Sequence, residues 1–526
     1  MKSPGVAWTI LGLLAIASVA AGQEYAGSRA CAECHRQIYD SYRATAMART
    51  SGIVESGSVS PGEVRHGASG ATYRIQSGEI MRYSVGPIQG ARKMAYFIGS
   101  SAAARSFLWR EDDAMFELPV TWYAKGGWAM SPGYESGQTL QLARPIEPEC
   151  LLCHVSRVKT RVGSINRYDW PPASEPGIGC ERCHGGGAAH IAHGGRGYIV
   201  NPAKLTQPHR DHVCAQCHLT GVERVALAGR DLSSFQPGAD LNDYVTVFLW
   251  SGAGANAVHV ASHFERLAAS KCRNQTGGTL SCGNCHDSHA APARAQRAAY
   301  FRGKCMVCHE SNAHAREKGE CRSCHMPAVP ASDAKGTAFT DHLIQRNSGS
   351  HEGGVKGELR AFGKEAAPRE AGIAWARVAH RSQKREDGER ALAFLRQAYA
   401  NGARDAATLT ALAYLTDQSG DEQAALSIYE QAVEPEDRQA EALVNLGAIY
   451  VEKGRLLEAE KAWVQATRRN PGLEAGWIKL AALYLATMRD KGAASAAASC
   501  LRYHPDSAAA IEVLESVKAR TANALP

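Results

Sequence analysis

A pair of cysteines two residues apart, with a histidine directly behind the second, recurs seven times in this 526-residue chain. The copies are Cys31/Cys34/His35, Cys150/Cys153/His154, Cys180/Cys183/His184, Cys214/Cys217/His218, Cys282/Cys285/His286, Cys305/Cys308/His309 and Cys321/Cys324/His325. They use fourteen of the sixteen cysteines and leave Cys272 and Cys500. A zinc ribbon would make the histidines redundant, since four thiolates already fill a tetrahedral site. A disulfide framework imposes no fixed gap followed by histidine. C-x-x-C-H is the attachment signature of c-type haem: the thiols become thioethers and the histidine becomes an axial iron ligand. Seven covalently bound haems are therefore expected, with seven proximal ligands in the motif histidines.

Such a cofactor load restricts where the chain can mature. Met1-Lys2, an apolar run over 6–17 and the small residues Ser18-Val19-Ala20 read as a signal peptide over 1–22. The run is short for a membrane span, and no transmembrane segment is expected after cleavage. An exported protein, periplasmic or associated with the outer surface, is the expectation. The net charge of +7 is modest, and there is no Lys/Arg-rich run. A nucleic-acid partner is therefore not expected.

Three parts follow the signal. Residues 23–345 hold the seven motifs. The text between the motifs is rich in Gly, Pro and Ala and carries short helical pieces, so porphyrins are expected to make much of the core and to couple binding to folding. Within this part, 52–149 is free of motifs. Alternation of apolar and polar residues from Thr72 to Val85, around Ser77-Gly78, predicts a hairpin and a small β-rich insert. Residues 346–369 read as a linker. From 370 to 526 a 34-residue period sets in: Leu412, Leu446 and Leu480 share one phase, and Ala391, Ala425, Ala459 and Ala493 another. This predicts an all-α tetratricopeptide solenoid of four repeats and a capping helix, whose groove would dock a protein or peptide. The fold class is thus mostly α, with little regular structure in the haem region beyond the β insert. Cys500 falls in a small-residue phase and is expected to be structural. Cys272 is expected to be a packed small thiol, with a position near a haem iron as the alternative.

Six-coordinate iron needs a second axial ligand. Met47 follows the first motif, and its thioether is a competent ligand that would raise the potential, although methionine also packs against flat rings. His66 is the non-motif histidine beside the insert, either a distal ligand or a surface residue. His190 lies beyond the flexible run Gly185–Ala189. His289 follows its own proximal ligand by three residues, too close to cap the same iron, so it would serve a neighbouring haem. His263 and His342 are further candidates. His212, His259 and His314 are weaker, and His193, His209 and His351 are expected on loops.

The stretch His35-x3-Tyr39-x2-Tyr42-x2-Thr45 resembles the N-terminal haem segment of the hydroxylamine-oxidoreductase and cytochrome c nitrite reductase class, which ends with a ligating histidine where this chain has Met47. Cys285-His286-Asp287-Ser288-His289 and Thr340-Asp341-His342 resemble a secreted bacterial group in which a multihaem cytochrome precedes tetratricopeptide repeats. That resemblance implies His190, His263, His289 and His342 as the better distal ligands. The function expected is electron relay in the cell envelope between redox partner proteins. The alternatives are a haem oxidoreductase acting on a small nitrogen or sulfur compound at one open haem, and a redox-sensing or assembly scaffold. Whether the chain is an enzyme stays open, with carriage favoured because no motif has lysine for its histidine and no catalytic residue stands out.

Overall fold

The computed structural model describes residues 24–251, 258–309, 320–345, 357–433 and 439–523. The expected signal peptide, His314, His351 and residues 346–356 of the expected linker lie outside them. Among the described residues no helix is long and apolar enough to cross a membrane.

The chain enters through two short helices, Ser28–Cys31 and Arg36–Arg43, on either side of the first motif's turn. Tyr42 is buried on the inner face of the second helix and donates through its hydroxyl to the Ile178 carbonyl at 2.7 Å. A 3-10 turn, Met47–Arg49, leads into the β unit. One of its sheets is the antiparallel meander Gly62–Arg65, Thr72–Gln76, Ile80–Val85 and Ile88–Lys93. The expected hairpin is its centre, and Gly78 takes the left-handed conformation (φ +95°) that the turn requires. The second sheet is centred on Ala104–Glu111 and Ala114–Tyr123. Strand alternation turns Tyr73, Ile75, Met81 and Tyr83 of the first sheet onto Phe107, Trp109, Phe116 and Leu118 of the second, forming one apolar core.

The thiol-rich stretch is built from short helices and small sheets, but it also has a core of its own. Ala215, Leu219, Phe235, Leu241, Val245, Val247 and Phe264 pack together. The sheet that frames them, Glu223–Ala226 beside Val245–Trp250, takes Leu359–Ala361 as its third strand. The Gly-rich text thus supplies apolar side chains to a core of its own, and within 346–369 residues Leu359–Ala361 form an edge strand.

Among the described residues nine helices follow, from Pro368–Ser382 to Ala508–Asn523. Ala391, Ala425, Ala459 and Ala493 are fully buried, and Ala398, Ala432, Ala466 and Cys500 are at most 3% exposed. Small residues in these phases let paired helices approach closely. The same limit acts at Gly447, where an added Cβ would lie 2.3 Å from Trp463 Nε1. Both ends of the helical array are fastened to the rest of the chain. At the first helix Trp375 meets Trp250 edge-on at 5.9 Å, and Arg381 pairs with the buried Glu223. At the other end Tyr503 packs on Phe116 and Trp109, with ring centroids 5.4 and 6.4 Å away. The Leu140 amide donates to Asp506, and the Ile165 amide to the Arg469 carbonyl.

Candidate haem-binding site

Four of the motifs close a single helical turn. The amide of the motif histidine donates to the carbonyl of the first cysteine in His35, His184, His286 and His309, at 2.8 to 3.1 Å. That turn puts two thiols on one side and the imidazole just beyond them, as attachment of one tetrapyrrole requires. All fourteen motif thiols are unpaired. Several are in side-chain contact across motifs: Cys31 with Cys180, Cys153 with Cys217, Cys214 with Cys282, and Cys305 with Cys321. The attachment sites are therefore neighbours in space as well as numerous. Among the described residues no group of three or more His, Cys, Asp or Glu side chains is arranged to hold a bare metal ion.

The thiols are not equally enclosed. Cys34, Cys308 and Cys324, each the second cysteine of its motif, are exposed, as is Cys150 of the second motif. The reason lies in the elements around them. Cys34 sits in the turn before Arg36–Arg43, a helix that buries Tyr42 alone. Cys308 follows helix Arg297–Met306 and Cys324 lies on helix Cys321–His325, and neither helix buries any residue. The first, sixth and seventh motifs thus lie at the edge of the thiol-rich part, where protein covers one side of the turn at most. Protein packing does not mark Cys34, Cys308 and Cys324 as cofactor residues; the spacing to their partner thiols and histidines does. By contrast Cys180, Cys183, Cys214 and Cys217 are partly covered, in the middle of this part.

The imidazoles show a shared tautomer logic. Nδ1 of His184 lies 2.8 Å from the Val200 carbonyl, His190 2.7 Å from Gly197, His325 2.9 Å from Gln345 and His342 2.9 Å from Thr340. A carbonyl can only accept, so Nδ1 carries the proton in each and Nε2 keeps its lone pair for a metal. Loss of water around the rings keeps the central ones neutral. It pushes His154 and His342 down to about 4 and His218 down to about 3, and it lowers His184, His263 and His286. Neutral imidazole is the ligating form.

Three non-motif rings stand opposite motif rings. His289 faces His184 with centroids 5.9 Å apart and planes 11° from parallel. His342 faces His286 at 6.1 Å and 31°. A metal–imidazole bond is about 2.0 Å long, so rings whose centres stand about 6 Å apart would leave room for an ion between them. Both pairs fit that spacing. His263 lies 5.1 Å from His218 with their Nδ1 atoms 3.2 Å apart, so these rings would have to part by about 1 Å and turn to share an iron. The donor set thus fits c-type haem: free thiol pairs, neutral imidazoles with Nε2 available, and facing rings at ligand spacing.

The other candidates are placed differently. His66 is buried inside the β unit, with Nδ1 against Ser69 Oγ and Nε2 against the Glu135 carbonyl. Both ring nitrogens are committed to protein, so in this arrangement neither is free for iron, and it is not a surface histidine either. Met47 is 38% exposed at the head of its 3-10 turn. His190 sits on the short helix Ala188–Ala192. His193 ends that helix and stacks on Tyr198 at 4.2 Å. His209 is on helix Gln207–His218 rather than a loop; His212, a weaker ligand candidate, is on the same helix, and its Nδ1 accepts from the Leu241 amide. His259 borders the cleft that also includes His263 and His342. Cys272 is half-buried on the short helix Lys271–Gln275, and Cys500 is fully buried.

Sequence reading missed Glu181, an x position of the third motif. Its carboxylate is 2% exposed and accepts from the amides of Ala26, Gly27 and Gly187 at 2.7, 2.8 and 2.7 Å. Ser28 accepts from the Cys180 amide at 2.9 Å. These bonds strap the first motif to the third and to the Gly run before His190. No local pattern announces them.

Residues 130–185, which include the second and third motifs, match the family described as cytochrome c554 and c-prime. A stretch of 79 residues is 33% identical to the photosystem I assembly protein Ycf3 of Synechococcus sp. (strain CC9311), covering 12% of this chain and 46% of that protein. Solved structures similar to the chain include YrrB, a tetratricopeptide repeat protein with an unusual peptide-binding site (19% identity, 28% of this chain and 75% of that one, TM-score 0.24). Pseudomonas aeruginosa pilF is another (20% identity, 30% and 72%, TM-score 0.27). At such TM-scores the helix pairs and the 34-residue period carry the repeat architecture. The chain is thus cytochrome-like in its thiol-rich part and tetratricopeptide-like at its C-terminal end.

Proposed function

We propose that the protein is an exported cytochrome with seven covalent c-type haems that relays electrons within the cell envelope. The observation that carries this is the His184–His289 pair: two imidazoles far apart in sequence, nearly parallel, at the spacing of two axial ligands on one ion. Iron with both axial sites filled by protein exchanges electrons without binding substrate. When bound, closely spaced haems supply a path for single electrons. The chain's part is to hold the thioethers, keep the imidazoles neutral with Nε2 available, and crowd the attachment sites together. The exposure of Cys34, Cys308 and Cys324 supports the first, sixth and seventh motifs as the points of exchange with a partner protein. The helical repeats, fastened at both ends, present a docking surface for a redox partner protein. Catalysis at an open haem finds support at the first motif alone, where exposed Met47 stands in place of the family histidine.

The test is His289→Ala in the holoprotein. Conversion of about one haem equivalent from low-spin to high-spin iron, reversed by added imidazole, is expected. An unchanged low-spin complement would refute the pairing.

A further inference from the structure

Helix His263–Ala269 opens on one of the facing imidazoles and carries two consecutive buried charges, Glu265 and Arg266. Glu265 Oε1 accepts from the Gly221 amide at 3.0 Å and from Thr220 Oγ1 at 3.4 Å. Those residues closely follow His218, so this carboxylate ties the helix to the exit of the fourth motif. Arg266 reaches the other way. Its Nε donates to Asp341 Oδ1 at 2.8 Å and its Nη2 to Oδ2 at 2.7 Å, a two-pronged pair with side chains 6% and 1% exposed. Asp341 immediately precedes His342. Its carboxylate also accepts from the Leu343 amide at 3.0 Å, and its own amide donates to the Pro327 carbonyl just after the seventh motif.

The result is a row of four imidazoles. His218 and His263 are 5.1 Å apart, His263 and His342 4.8 Å, and His342 and His286 6.1 Å. The two inner rings belong to no motif, and the outer two are motif ligands. Nδ1 of His342 is bonded only within its own strand end, to Thr340.

A fully buried ion pair is a poor source of net stability, because both charges lose their water and an apolar pair of similar size packs as well. What a planar guanidinium gripping both oxygens of a carboxylate does supply is fixed distance and direction. We propose that Arg266 and Asp341 are positioning residues that fix His342 beside His263 and hold it as the distal ligand of the haem carried by the fifth motif, opposite His286. The inference rests on the multihaem reading above. It adds that this ligand is set by a clamp lying outside every motif, so disturbing the pair alters that haem.

The experiment uses the exported holoprotein carrying Asp341→Asn, Arg266→Lys, or the double replacement Arg266→Met with Asp341→Leu, beside His263→Ala and His342→Ala as references. Intact mass reports haem number, and EPR of the oxidised protein with a redox titration reports ligation. The clamp variants are expected to keep all haems, lose about one low-spin equivalent, regain it with added imidazole, and shift the same potential as His342→Ala. The apolar double replacement leaves neither of the two charges facing the other's vacancy, and its haem count shows whether it folds. Wild-type spectra and potentials in that double variant would overturn the clamp. If His342→Ala also leaves the spectra unchanged, the ligand assignment itself is wrong and the clamp falls with it. A wild type without haem at the fourth and fifth motifs would sink the relay reading.

Discussion

Removing the Glu181 carboxylate should loosen the first haem motif without touching any haem ligand. Three amides converge on this side chain at 2.7 to 2.8 Å, two from the N-terminal segment and one from Gly187. A hydrogen bond to a charged group contributes about 1.5–3 kcal/mol net, and a stranded buried donor costs about 1–3 kcal/mol. The three share one carboxylate, and the N-terminal pair sits at the protein edge where water can replace part of what is lost. We therefore take about 3 kcal/mol for Glu181→Ala rather than the sum. At about 1.36 kcal/mol per tenfold, local opening of the segment around Cys31 should rise by about a hundredfold. Glu181→Gln keeps the shape but turns an NH2 toward one donor, so about tenfold is expected. Hydrogen exchange of residues 26–45 in the holoprotein, followed by mass spectrometry, reads this directly. Exchange within about threefold of wild type in Glu181→Ala would refute the strap, because the free energy assigned to it would then be absent.

Three further outcomes follow from other contacts. Tyr503→Ala should cost about 3 kcal/mol by opening a cavity beside Phe116 and Trp109; thermal unfolding should shift down and exchange should rise in both 107–118 and 490–523, whereas Met488→Ala, 71% exposed, should change neither. Burial alone would raise the Asp405 carboxyl, but hydrogen bonds from Arg369 and Thr408 overcome it and hold the group at about 2. Its folded value is thus depressed, so the stability it adds is complete above the ordinary aspartate range and is lost as pH falls from about 4 to 2. Asp405→Asn should lower helical stability by about 2 kcal/mol at neutral pH and flatten that acid limb in circular dichroism melts. Gly447→Ala should destabilise the third repeat by about 1–3 kcal/mol, since the new methyl meets the Trp463 indole; denaturant unfolding of the helical signal measures it, and an unchanged midpoint would contradict the close packing.

What could be read from the chain before any coordinates was what repeats locally. The C-x-x-C-H units declare themselves because their chemistry lies within five residues. The solenoid declares itself because each repeat solves the same packing problem, which is why Ala391, Ala425, Ala459 and Ala493 recur and are all buried. The Thr72–Val85 hairpin followed from period-two alternation about one glycine. What stayed hidden depends on contacts distant in sequence. The seven motifs look alike as text, yet Cys34, Cys308 and Cys324 are exposed while Cys183 and Cys217 are partly covered, because neighbouring chain decides which turn is wrapped. Leu359–Ala361 has too little pattern of its own and becomes a strand only because Val245–Trp250 offers an edge. His66 looked like a spare ligand because a histidine's ring nitrogens carry no sequence mark of their partners; Ser69 and the Glu135 carbonyl take both. Choosing His289 for His184, and finding that Glu181 and Arg266 hold such pieces together, required knowing which turns lie side by side.

The central claim is that the irons are relay sites with both axial positions filled by protein. EPR of the oxidised holoprotein at low temperature tests it most directly. The account predicts low-spin signals alone, unchanged by nitrite or hydroxylamine. A high-spin signal that shifts when either is added would contradict it, because one haem would then be open to substrate.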